Sequence, residues 1–77
     1  MKLDVRWRPQ SVRGLSKLSF ERRSAIERAV GRLSDVPDEG DRVKNVCGAF
    51  HEITAGGYRI FYLVEAGGIQ VTGLRRL

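Results

Sequence analysis

Two glycine pairs, Gly56-Gly57 and Gly67-Gly68, bracket a strongly apolar run over residues 58–65 and constrain this part of the chain to a β-meander. Glycine takes the positive φ angles that tight hairpin turns require, so each pair reverses the chain at little steric cost. Between them, side chains alternate across a strand. Ile60, Tyr62 and Val64 fall on one face, and Arg59, Phe61 and Leu63 on the other. Burying an arginine is costly unless it is paired. Arg59 therefore marks an open face, an ion pair or a bound anion.

The rest of the chain supplies what the meander needs. Residues 2–8 alternate strictly between polar and apolar, as a half-buried strand does, with Leu3, Val5 and Trp7 toward the core. Pro9 ends that strand because it lacks the N–H a ladder uses. A short helix is expected over residues 10–17, burying Val12 and Leu15 and weakened by Gly14. Ser19 has the chemistry of an N-cap for a second helix running to Leu33. In it Ile26, Ala29, Val30 and Leu33 recur at i, i+3, i+4 and i+7, one apolar stripe. Residues 35–41 hold Pro37, Gly40 and four acids, which reads as a loop. Strands over residues 49–55, 58–65 and 69–74 complete the order β-α-α-β-β-β. The fold class is α+β: an N-terminal helical hairpin packed on one face of a small, mainly antiparallel sheet, as a single domain over residues 1–77.

Charge narrows the partners. Fourteen Lys and Arg against nine Asp and Glu give a net +5, and eleven of the fourteen are Arg. Four of the nine acids sit in the 35–41 loop, so the remaining surface is more basic than the total suggests. Arginine presents a planar fork that matches phosphate, which points to nucleic acid or an acidic partner. The one cysteine, Cys47, has no partner for a disulfide and no neighbouring His or Cys to form a nucleophile or metal site. A lone thiol with no signal peptide fits a reducing cytoplasm. No apolar run approaches the roughly 20 residues that span a bilayer.

Three segments carry a resemblance to a known family. They are Val5-Arg6-Trp7-Arg8-Pro9 with residues 12–18; residues 43–48; and Phe50-His51-Glu52-Ile53, Gly57-Tyr58-Arg59-Ile60-Phe61-Tyr62 and the closing residues 71–76. Together they resemble the RelE/ParE superfamily of toxin–antitoxin toxins over nearly the whole chain. The resemblance implies a cytoplasmic toxin held in check by a cognate antitoxin. Its RelE-like members cleave mRNA in the ribosomal A site without metal or small-molecule cofactor, whereas ParE-like members inhibit DNA gyrase. A family member acting only through protein binding is the other alternative.

Residue by residue, the resemblance implies that Arg59 contacts the scissile phosphate and that Arg75, the basic residue after the last strand, contacts it too. Lys44 and Arg76 would bind the RNA backbone. His51 and Glu52 lie on the strand where relatives place proton-transfer groups. RelE-like nucleases usually carry a Tyr or His beyond the last strand, and neither follows Tyr62 here, which makes His51 the expected substitute. Read from the residues alone, Arg59 can equally be a structural arginine paired with Glu52 or Glu65. The arginines of the second helix can form a solvated face or receive an acidic antitoxin segment.

Overall fold

The structure is a computed structural model that describes residues 3–35, 41–42 and 50–77. Strand β1 (Asp4–Trp7) leads into helix α1 (Pro9–Ser16) and helix α2 (Phe20–Leu33). A two-residue strand β2 (Asp41–Arg42) precedes the meander β3 (Phe50–Ala55), β4 (Tyr58–Glu65) and β5 (Gly68–Arg76). The sheet order is β1-β5-β4-β3-β2, with β1 parallel to β5 and every other neighbour antiparallel. Among the described residues no helix is long and apolar enough to cross a membrane.

Local chemistry places both helices. Pro9 at the first helical position of α1 has no N–H to leave unsatisfied and a φ already suited to a helix. The Ser19 Oγ accepts from the Arg22 N–H at 3.3 Å and so caps α2. The α2 stripe buries Ile26, Val30 and Leu33 almost completely against the sheet. Among the described residues two clusters form the core. Leu15, Ile26, Val30, Ile60 and Val71 make one, and Leu33, Tyr62 and Ile69 the other.

Several expectations are corrected. Val12 is 48 % exposed; Leu15 and Ser11 are the buried residues of α1. Asp41 belongs to β2 rather than to the preceding loop, pairing with Glu52 on β3. The last strand runs to Arg76, two residues past its expected end, because Tyr58 and Arg59 on β4 pair with Arg76 and Arg75.

That extension carries a change of phase. The β4–β5 register slips between Phe61 and Tyr62: Phe61 pairs with Gly73 and Tyr62 with Val71, which leaves Thr72 as the extra residue of a β-bulge. The Thr72 hydroxyl donates to the Phe61 carbonyl at 3.3 Å. Before the bulge Ile69 and Val71 face the helices; after it Leu74 does. Arg75 is thereby turned to the face away from the helices.

The β3–β4 hairpin is anchored on α2. Gly56 and Gly57 both have positive φ, +60° and +81°, as a mirror-image two-residue turn requires. A Cβ on Gly56 would lie 2.8 Å from the Arg22 carbonyl oxygen and 3.3 Å from Ile26 Cγ1. The turn thus sits directly on the first turns of α2. The Leu77 N–H donates to the Gly57 carbonyl at 3.1 Å, tying the end of β5 to the same place.

Candidate nucleic-acid interface

The helices cover one face of the sheet, and among the described residues none covers the other, the open face. Cross-strand pairing arranges that open face in rows. Thr54, Arg59 and Arg75 form one row across β3, β4 and β5; Glu52, Phe61 and Gly73 form the next. Leu63, Gln70 and, on β1, Arg6 stand in the row beyond. Successive rows are about 6.6–6.8 Å apart along a strand. Arg59 and Arg75 are therefore direct cross-strand neighbours, projecting from the same face.

Their electrostatics are only partly balanced. Glu52 Oε2 lies 3.8 Å from Arg59 Nε, an ion-pair contact longer than a hydrogen bond. Arg59 Nε is buried yet has no hydrogen-bond partner among the described residues, while the side chain as a whole is 43 % exposed. The guanidinium is thus only loosely paired, and its side chain is partly open to solvent. Arg75 is exposed. The arrangement suits a tetrahedral oxyanion, which can accept from two guanidiniums at once.

The other expected site residues are placed differently. His51 pairs with Tyr62 in register and lies on the helix face, buried, its ring stacked on that of Tyr62 at 5.3 Å between centroids and 15° between planes. It faces the core rather than Arg59, because the inward parity of β3 is set by Ile53 opposite Ile60. Arg76 pairs with Tyr58 and so belongs to the face opposite Arg75, although it is exposed at the end of the strand. Lys44, like Cys47, lies outside the described residues. Glu52 is the carboxylate that the structure brings to Arg59. Among the described residues no group of three or more His, Cys, Asp or Glu could hold a metal ion.

A second surface lies over the helices. Two adjoining clefts share Val12, Leu15 and Glu27. One continues to Val5, Trp7, Val30 and Gly31, the other to Phe20 and Arg23. Val12 and Phe20, at 48 % and 73 % exposure, make this groove apolar. Arg23 stands over the Phe20 ring at 6.0 Å.

Comparison with solved structures identifies the architecture. The toxin–antitoxin complex RelBE2 of Mycobacterium tuberculosis contains a chain that superposes with a TM-score of 0.84 at 22 % identity, over all of both chains. The fold is that of the RelE toxins. A mutant of the E. coli toxin RelE in the free state matches at 0.82 and 14 % identity, over 99 % of this chain and 84 % of that one. A chain of the archaeal RelE–RelB complex of Pyrococcus horikoshii matches at 0.75 and 22 % identity, over 99 % of this chain and 96 % of that one. No family model and no curated protein matches the sequence. The RelE fold is thus shared at 14 to 22 % sequence identity.

Proposed function

We propose that the chain is the toxin of a toxin–antitoxin pair and that its open sheet face cleaves mRNA on the ribosome. The observation that carries this reading is the cross-strand pair Arg59–Arg75. Like charges directly opposite one another destabilise a sheet. A phosphodiester placed between them supplies the missing countercharge and receives charge-assisted hydrogen bonds from both. Support also comes from the RelE fold, which the chain shares with proteins described as toxins and toxin–antitoxin complexes.

The chemistry follows from the row geometry. A nucleotide's 2′-hydroxyl attacks its own 3′-phosphate; the 2′-oxygen–phosphorus bond forms and the phosphorus–5′-oxygen bond breaks. The products are a 2′,3′-cyclic phosphate and a 5′-hydroxyl end. Arg59 and Arg75 hold the non-bridging oxygens as negative charge grows on them, the part of such a reaction where preorganised donors contribute most. Glu52, in the adjoining row, takes the 2′-hydroxyl proton, and water protonates the departing 5′-oxygen. The reading calls for no metal or small-molecule cofactor, because the nucleophile belongs to the substrate. The ribosome contributes by bending the mRNA toward in-line attack.

The antitoxin has a surface suited to it. The apolar groove lined by Val12, Leu15, Phe20 and Val30 carries Arg23 and Glu27 of α2 on its walls. An amphipathic helix that lays its apolar face in the groove and an acidic group beside Arg23 complements it. On this reading the chain works in the cytoplasm, with the ribosome, mRNA and antitoxin as its partners.

Expression in a bacterial host tests the reading. The wild type arrests growth and spares DNA supercoiling by purified gyrase, whereas Arg59→Ala folds and is harmless. A folded Arg59→Ala protein that still arrests growth removes Arg59 from the mechanism. Inhibition of gyrase replaces the ribosomal target altogether.

A further inference from the structure

We infer that the open face carries a nucleobase platform, Phe61 beside Gly73, in the row next to the arginine pair; this rests on reading that face as an RNA-phosphate site. Phe61 is half-buried on the open face, flanked in its row by Glu52 on β3 and Gly73 on β5. Glycine weakens a strand interior and is usually kept there for a reason. Gly73 directly follows the Thr72 bulge, where a strand glycine is common, yet nothing in its own backbone or packing demands one. Its φ is outside the positive region, and among the described residues a Cβ built on it would meet nothing within 4 Å. What this glycine does is leave empty the position from which a cross-strand side chain would lie against Phe61.

A flat ring resting on Phe61 can extend over Gly73, which presents no side chain in that row. Phe61 itself is fixed by the bulge, where its carbonyl accepts from Thr72 Oγ1. The platform lies one row, about 7 Å along the strand, from Arg59 and Arg75. That is comparable to the reach from a phosphate to an adjacent base. The occupant is an unpaired RNA base, stacked as single-stranded bases stack on aromatic side chains, with little preference among the four.

Binding of fluorescein-labelled decauridine is compared with binding of the same decamer made wholly abasic, at low salt, by fluorescence anisotropy. The wild type binds the base-bearing RNA more tightly by about fivefold to a hundredfold, the range that base–aromatic stacking supplies. Phe61→Leu keeps apolar bulk but loses the ring, and the preference falls toward one; Phe61→Tyr restores it. Gly73→Val suits a strand and meets no obstruction, so it keeps the fold, confirmed by circular dichroism, while abolishing the preference. Arg59→Ala weakens both RNAs alike. A Phe61→Leu or Gly73→Val protein with the wild-type preference overturns the platform. Wild-type binding that needs Arg59 but ignores bases overturns the platform and leaves the phosphate reading standing. Binding of neither RNA, or binding indifferent to Arg59, overturns both.

Discussion

Replacing Arg75 with threonine should make the protein more stable while disabling it. Arg75 is paired in register with Arg59, and side chains so placed have Cβ atoms about 4.5–5.5 Å apart. Glu52 offsets this repulsion only weakly, because its contact with Arg59 is long and partly solvated. A like-charge cross-strand pair costs about 0.2–1 kcal/mol, and threonine is in addition a good strand former. In a domain of this size 1 kcal/mol moves the melting temperature by about 4–8 °C. Arg75→Thr should therefore melt about 1–8 °C above the wild type in 10 mM salt. The gain should shrink in 1 M salt, where the screening length falls from about 30 Å to about 3 Å. Added inorganic phosphate should raise the melting temperature of the wild type more than that of the variant, since only the former presents both guanidiniums to the anion. Thermal melts followed by circular dichroism read all three effects. A variant that melts lower by the same amount at both salt concentrations would show that Arg75 supports the sheet, and the argument from repulsion would be wrong.

Three further outcomes test the scaffold and the assignment of faces. Gly56→Ala forces a side chain into positive φ and against the Arg22 carbonyl; the strain alone costs about 1–3 kcal/mol, so a melting temperature within error of wild type contradicts the turn. Ile60→Ala empties a site with no solvent exposure in the larger core cluster and should lower the urea-unfolding free energy by about 2–5 kcal/mol. His51→Phe keeps the stack on Tyr62 and should leave mRNA cleavage near the wild-type rate. A loss of about 100-fold, the scale of a missing general acid or base, would bring His51 into the reaction.

How much of this was legible in the sequence depended on how local the signal was. The α2 cap and stripe were readable because Ser19, Ile26, Val30 and Leu33 act within one helix. The meander was readable because its glycines demand turns where they stand. The placement of Arg75 was not, since it depends on β5 continuing beside β4 and on a bulge at Thr72. A trace of that bulge does exist in the sequence. Ile69 and Val71 are odd-numbered and Leu74 even, so a strand that buries all three must change phase between them, beside Gly73. The face of His51 was obscured for a similar reason. Over Phe50–Ala55 neither parity is wholly apolar, and only pairing with β4 decides that Ile53 and Ala55 point inward, taking His51 with them. The parallel docking of β1 on β5 joins segments more than sixty residues apart in sequence, for example Val5 and Ile69. No local pattern encodes it.

The measurement that bears most directly on the open face is cleavage of an mRNA with and without translating ribosomes, comparing wild type, Arg59→Ala and Arg75→Ala. Cuts are expected only on ribosomes, with 2′,3′-cyclic phosphate and 5′-hydroxyl ends, and with a fall of about 100- to 1,000-fold for each variant, the usual cost of removing one oxyanion donor. Cleavage at the wild-type rate by a folded Arg59→Ala or Arg75→Ala protein would contradict this expectation.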